Sequence, residues 1–320
     1  MLETVNRKVL VTGAGGFVGR ALCNHLVDRC DANVIALVRH DCTTGLDPRV
    51  RQVVVDLNSQ KIPPELLSGV STVVHLAAIA HQQNRNESPE QANVRMSKHL
   101  LDNMKETSVE RLVFMSSIAV VGAGGGSPDN PLDELAIPAP KTGYGRSKLA
   151  CEELIQKELA ETAISWTIIR PPVIYGPSAK GSFGQLLRLV LSGYPLPFAG
   201  LSNGRTMVSL ANLIELVLFC LWRPEAKQQI FHACDNETLS IIELVHLLER
   251  FKGRKFSRAF PVPSQMLRIL ARLAGRTEAL EQLMQPLWLS NSKALNIMGW
   301  KPPETVEQGL RRCIEPEKVS

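Results

Sequence analysis

VLVTGAGGFVGRAL, residues 9–22, decides how this chain is read. An unbroken aliphatic run ends at Thr12, three glycines follow at 13, 16 and 19, and helix-forming residues take over. Each glycine has a separate job in a strand–turn–helix unit that binds a pyrophosphate. Gly13 permits the sharp turn, Gly16 lets the backbone approach the phosphates, and Gly19 allows the helix to pack closely on the strand. Phe17 and Val18 then open a helix whose free N–H groups and partial positive charge face the anion. Three glycines alone fit a plain turn equally well. Their position between an apolar strand and a helix is what makes the nucleotide reading specific.

Working outward, the first half alternates short apolar runs with helix-period stretches. Strands are expected at 8–12, 33–38, 52–56, 72–78 and 111–117, with helices at 17–29 and 90–107 between them. None of the runs alternates polar with apolar, as befits parallel strands buried on both faces. Two further strands are expected at 165–170 and 230–235. This is the pattern of an α/β protein, a Rossmann-type doubly wound parallel sheet. After PPVIYGP (171–177) helical segments dominate, at about 183–193, 210–222, 240–252, 264–274 and 303–313. The chain therefore divides into a nucleotide-binding domain over 1–172 and a smaller, mostly helical C-terminal substrate lobe over 173–320, with 205–235 returning to the sheet. GAGGGSPDNP, residues 122–131, is expected to be a flexible loop. Ligands of such folds bind at the C-terminal edge of the sheet, beneath the lobe.

The chain has 320 residues, 44% apolar and 21% charged, with net charge +5. Lys and Arg read as spread along the chain, which argues against a nucleic-acid surface and is compatible with an anionic small ligand. Seven cysteines (23, 30, 42, 151, 220, 234, 313) form no C-x-x-C pair. Such a set reads as reduced thiols in a cytoplasmic protein. The histidines have no metal-ligand spacing, so no metal is expected. MLETVNRKVLVTG enters a strand without a signal-peptide core, and LIELVLFCLW (213–222) is too short to insert in a bilayer.

The second strand, NVIALV, ends at Val38 and runs into Arg39. An acid at this tip binds the ribose hydroxyls of NAD and repels a 2′-phosphate; an arginine offers the phosphate a charged fork. NADP(H) is therefore the favoured cofactor, with NAD(H) possible; a solvated surface arginine is the alternative. Asp56 and Leu57, after the third strand, are placed to meet the adenine. HLAA (75–78) brings Leu76, Ala77 and Ala78 close to the cofactor, and His81 follows it, placed to reach a substrate or to cap a loop. His75 itself reads as a strand histidine inside the sheet. Further on, TGYGRSK (142–148) sets Tyr144 and Lys148 one helical turn apart on one face, where the ammonium is expected to lower the tyrosine pKa. A lone Y-x-x-x-K usually marks a solvated helix. This one follows MSS (115–117) in a chain that already carries the glycine loop.

TGAGGFVG, HLAA, Asn93-Val94, SSIAVVG, YGRSK, RPPVIYGP and MGWKPPETVEQGL together resemble the extended short-chain dehydrogenases/reductases of the nucleotide-sugar epimerase/dehydratase group, over essentially the whole chain. Within that group the likeness is to bacterial 4-keto-6-deoxy sugar-nucleotide reductases, carried by KGSFGQLLRLVLSGYPLPF, NGRTMVSLANLIELV and FPVPSQMLRILARLAG. The resemblance implies that Ser117 hydrogen-bonds the reacting oxygen, Tyr144 transfers the proton and Lys148 holds the nicotinamide ribose. It implies that Pro171 to Val173 line the nicotinamide pocket, that Asn93 belongs to the cofactor site, and that Arg205 grips the diphosphate of a UDP-sugar. Ser182 stands where relatives carry a substrate-contacting Asn, and Val121-Gly122 replaces a common Val-Tyr-Gly; both bear on sugar recognition. The resemblance further implies a homodimer joined through the helices at 90–107 and 145–163.

Four activities compete on these residues. An NADPH-dependent reductase of the C4 ketone is preferred because of Arg39. A 4-epimerase with tightly held NAD uses the same Ser-Tyr-Lys set. A 4,6-dehydratase wants an acid beside the catalytic serine, where Ile118 and Ala119 stand. A non-enzymatic NADP(H)-binding regulator is disfavoured by the presence of both Tyr144 and Lys148.

Overall fold

Ten strands and ten helices are seen in the computed structural model, which describes residues 7–41, 45–79, 88–122, 124–201, 203–254, 259–273, 275, 280 and 284–315. The strands are β1 (Lys8–Thr12), β2 (Asn33–Val38), β3 (Arg51–Val54), β4 (Thr72–His75), β5 (Arg111–Met115), β6 (Ser165–Arg170), β7 (Val173–Tyr175), β8 (Gly204–Ser209), β9 (Gln229–His232) and β10 (Thr238–Ser240). Seven of them make one parallel sheet in the order β3-β2-β1-β4-β5-β6-β9. Strand order reverses at β1, so the carboxyl ends of β1 and β4 open a crevice between them. The expected Rossmann-type sheet is present.

The helices are α1 (Phe17–Cys30), α2 (Pro64–Leu67), α3 (Pro89–Met104), α4 (Gly143–Leu159), α5 (Gly181–Ser192), α6 (Leu210–Trp222), α7 (Ile241–Phe251), α8 (Ser264–Leu273), α9 (Ser292–Met298) and α10 (Val306–Ile314). Apolar side chains of β1 split between two cores, as a strand's period of two requires. Val9 and Val11 join Leu22 and Leu26 of α1 and Leu213 and Val217 of α6 on one face. Leu10 joins Leu100 and Met104 of α3 and Ile155 and Leu159 of α4 on the other. Leu10, Leu22, Leu26 and Leu100 are at most 1% exposed, and full burial of such a side chain contributes about 1.5–3 kcal/mol.

The C-terminal part is mostly helical, as expected, and also contains a small sheet. β7, β8 and β10 form a small second sheet, with β8 parallel to β7 and antiparallel to β10. Of residues 205–235, α6 covers the main sheet and β9 joins it beside β6, whereas β8 goes to the small sheet. Residues 124–131 are also not a loose loop. Gly125 bridges Leu287, Leu132 bridges Leu289, and Gly126 sits at φ +73° where a Cβ would lie 2.6 Å from the Trp288 carbonyl. The glycines there serve close backbone contact with the chain after Met284, which in turn bridges Arg205 of β8. Composition alone did not distinguish a docked glycine run from a mobile one.

Candidate active site

The glycine loop forms the floor of a cleft of about 770 Å³ at the carboxyl ends of β1, β2 and β4. Gly13 has φ +68°, and a Cβ there would stand 2.7 Å from the Ala77 amide nitrogen. At Gly19 a Cβ would lie 2.4 Å from the Gly13 carbonyl, so the helix can sit this close only without a side chain. Gly16 is the N-cap of α1 and no side chain caps that end, which leaves the helix terminus to an anion. The cleft fits a dinucleotide's pyrophosphate on these grounds. Phe17 and Val18 turn away from it: Val18 packs against the α1–α6 core, and Phe17 lies 3.3 Å from the position of a Cβ on Gly176.

Arg39 lines the cleft and is exposed, while Val38 beside it is buried. Asp56 and Leu57 line the same cleft. The Asp56 carboxylate accepts the Asn58 amide at 3.1 Å and the Ser59 hydroxyl at 3.1 Å, and so shapes its own turn. Arg95 of α3 anchors that turn through Asn58, donating to its carbonyl at 3.1 Å and its side-chain oxygen at 2.6 Å. Leu76, Ala77 and Ala78 form the opposite wall. Asn93 does not line the cleft. It exchanges two hydrogen bonds with Ile79, at 2.7 and 3.0 Å, and donates to Ser147 at 3.0 Å. Its place is behind the wall, tying the turn after β4 to α4.

Ser117 follows the end of β5 and opens a short 3-10 turn, its Oγ accepting the Ala119 amide at 3.2 Å. Thr142 caps α4 by accepting the Gly145 amide at 3.0 Å. Gly145 presses on the serine's turn so closely that a Cβ would meet the Ala119 carbonyl at 2.5 Å. The first turn of α4, with Tyr144, is thereby held against the Ser117 turn. One turn on, Lys148 donates to the Met115 carbonyl at 2.7 Å, with its Nζ 4.6 Å from the Phe114 ring and 5.9 Å from the Tyr144 ring. The spacing alone had suggested that Lys148 lowers the tyrosine pKa. Here burial dominates instead, pushing Tyr144 up to about 12 and pulling Lys148 down to about 8. The lysine's charge is directed at the Met115 carbonyl and the Phe114 ring, which explains the difference.

Behind this set lies a network that motif reading missed. Arg170 grips both carboxylate oxygens of Glu152, at 3.0 and 2.6 Å, and the Ser116 hydroxyl donates to the same carboxylate. All three residues are buried. Glu152 lies four residues after Lys148 on α4, so helical periodicity carried the signal. His75 is a sheet-core histidine, with Thr12 Oγ1 at 2.7 Å from Nδ1 and Ser97 Oγ at 3.1 Å from Nε2; burial pulls it down to about 3.

The remaining candidates lie on the turn before β7 and on β7, α5 and β8. Pro171 is buried, its carbonyl accepting the Ile118 amide at 3.0 Å, and Val173 opens β7 half-buried. Ser182 is exposed on the first turn of α5. Arg205 on β8 donates to the Gln285 carbonyl, and burial lowers its pKa. His81 lies outside the described residues. Among the described residues no group of three His, Cys, Asp or Glu could hold a metal, and no helix is long and apolar enough to cross a membrane.

A parallel Rossmann sheet, a glycine loop, and Ser117 just after β5 beside Tyr144 and Lys148 on α4 are the arrangement of a dinucleotide-dependent oxidoreductase. The chain belongs to the NAD dependent epimerase/dehydratase family, whose model matches residues 9–234. It is an enzyme of that family, of the oxidoreductase and epimerase kind. It is 32% identical over 317 residues to a UDP-glucose 4-epimerase of Vibrio cholerae, covering 97% of this chain and 95% of that protein. It is 25% identical over 331 residues to a dTDP-4-dehydro-6-deoxyglucose reductase of Escherichia coli, covering 96% of each. The fold matches that of UDP-glucuronic acid 4-epimerase from Bacillus cereus in complex with UDP-glucuronic acid and NAD, with TM-score 0.75 at 22% identity, covering 96% of this chain and 99% of that one.

Proposed function

We propose that this enzyme reduces the C4 ketone of a UDP-linked 4-keto-6-deoxy-N-acetylhexosamine, with NADPH, in the synthesis of bacterial surface polysaccharide precursors. The observation that carries this is Arg39 in the nucleotide cleft, with buried Val38 where an acid would bind the ribose of NAD. A guanidinium there gains a charge-assisted contact with a 2′-phosphate that NADH cannot offer. NADPH, when bound, supplies the hydride. The chain's residues handle the oxygen that receives charge. Tyr144, held protonated by burial, donates its phenolic proton to the developing alkoxide. Ser117 donates a second hydrogen bond to that oxygen, which strengthens as charge grows. Lys148 supplies positive charge beneath both.

The second reading, a UDP-hexose or UDP-N-acetylhexosamine 4-epimerase on tightly held NAD, is supported by the likeness to the V. cholerae epimerase. The protein would act in the cytoplasm as a homodimer through α3 and α4, which already pack side by side. Absorbance at 340 nm decides between the readings. Oxidation of NADPH faster than NADH, with freshly made UDP-4-keto-6-deoxy-N-acetylglucosamine, supports the reductase. No oxidation of either, with UDP-N-acetylglucosamine or UDP-glucose interconverted at C4 by protein-bound NAD, makes it an epimerase.

A further inference from the structure

The positive charge of this chain is not spread evenly after all. Eight of its thirty-six Lys and Arg fall between residues 250 and 276, a stretch with no Asp or Glu, and the rest of the chain carries twenty-eight basic against thirty-one acidic residues. Among the described residues of this stretch, Arg250 meets Glu307 at 2.8 Å, and Arg254 donates to the Val190 carbonyl at the end of α5 at 2.7 Å. Lys252, Arg268 and Arg272 are exposed.

The same stretch contains α8, whose apolar residues face two ways. Leu267 is 6% exposed and packs with Leu201 and Ile241. Met266, Ile269 and Leu273 are 54%, 60% and 82% exposed, at the three- and four-residue spacing that puts them on one face. Phe260 is 44% exposed just before the helix, and its amide bonds the Leu196 carbonyl, two residues from Tyr194, which is 72% exposed. Half of the chain's ten large exposed apolar side chains among the described residues thus belong to this one region. A water-facing helix gains nothing from three bare aliphatic residues. A helix lying in a bilayer interface, apolar face down and arginines at the headgroups, does.

We propose that α8 and its basic flank dock the substrate lobe, peripherally, on an anionic phospholipid surface. A second copy of the chain is the poorer occupant, because a self-complementary contact would bring the two basic stretches together. Aromatic side chains at the edge of the patch, Tyr194 and Phe260, suit the headgroup level. Nothing spans the membrane in this arrangement; the enzyme would rest on it and remain exchangeable.

Co-sedimentation of the full-length protein with phosphatidylcholine vesicles, with and without phosphatidylglycerol, tests this. Wild type should pellet with the anionic vesicles only, and 0.5 M NaCl should release it. Arg268→Gln/Arg272→Gln should weaken the partition about 25-fold, at about fivefold per basic residue. Ile269→Glu/Leu273→Glu should weaken it at unchanged charge pattern elsewhere, and both variants should keep the wild-type melting temperature. Wild type left in the supernatant with both vesicle types would overturn the proposal. So would equal binding to neutral vesicles, or substitutions that leave the partition untouched while splitting an oligomer in sedimentation velocity.

Discussion

Both oxygens of the Glu152 carboxylate are held by Arg170, at 3.0 and 2.6 Å, in a pair whose side chains are 1% and 4% exposed. Glu152 is one turn beyond Lys148 on α4, and Arg170 ends β6 next to Pro171. The pair therefore locks α4, which carries Tyr144 and Lys148, to the sheet edge, with Ser116 just beyond β5 on the same carboxylate. Breaking a buried pair leaves a bare charge, so Glu152→Ala should destabilise by about 3–5 kcal/mol in chemical denaturation. Glu152→Gln keeps one hydrogen bond and should cost less. Its turnover should still fall, with little change in cofactor affinity, because the turns carrying Ser117 and Lys148 lose their brace.

On the proposed mechanism, Tyr144→Phe removes the proton donor without emptying the site. Turnover should drop by about 10²–10⁴-fold while the dissociation constant for NADPH, read by fluorescence titration, stays within about twofold. Unchanged turnover would exclude Tyr144 from the chemistry.

Arg39→Ala should raise the dissociation constant for NADPH by about 10–100-fold, the worth of one or two charge-assisted contacts, and leave NADH nearly unaffected. Equal effects on both cofactors would mean that Arg39 meets no 2′-phosphate.

Lys148 is charged at neutral pH although burial pulls its pKa from 10.5 down to about 8. A lowered lysine favours the neutral form in the folded state. Its contribution is present above the unfolded value and is lost as pH falls through about 8, so below that the buried charge is a cost. Lys148→Met should accordingly abolish activity yet raise stability by about 1–3 kcal/mol at pH 7, the gain fading by pH 10.5. Urea melts at the two pH values measure it.

Acid should unfold the protein through its buried histidines. His75 and His232 are pulled down to about 3 and about 4 from 6.5, chiefly by burial, so the unfolded chain binds their protons first. Stability is full above pH 6.5 and should decline steadily as pH falls to 4. A His75→Asn or His232→Asn variant should show a flatter decline over that window.

Strand–turn–helix logic at Gly13, Gly16 and Gly19 was legible because each glycine's reason is local. Parallel strands were legible from their unbroken aliphatic runs, and β6 begins and ends where periodicity placed it. Long-range features were not. Nothing near Gly126 in sequence announces Trp288, and nothing near Arg205 announces the Gln285 carbonyl that occupies it. The pKa of Tyr144 was misjudged for a related reason: the spacing to Lys148 is a helix property, whereas the burial that governs it depends on elements packed from elsewhere.

The clasp between Gly125 and Leu287 joins points about 160 residues apart, and loop-closure entropy opposes such contacts until the intervening chain is ordered. Strands of the main sheet pair within about 65 residues of one another, whereas α6, packed on Val9 and Val11, and the Gly125–Leu287 clasp close much longer loops. The C-terminal chain builds its wall against residues 124–132 and β8 through such long-range bridges. A chain that has not yet made those bridges can hold its phosphate loop, whose glycine contacts are local, while the wall beside β8 is still open.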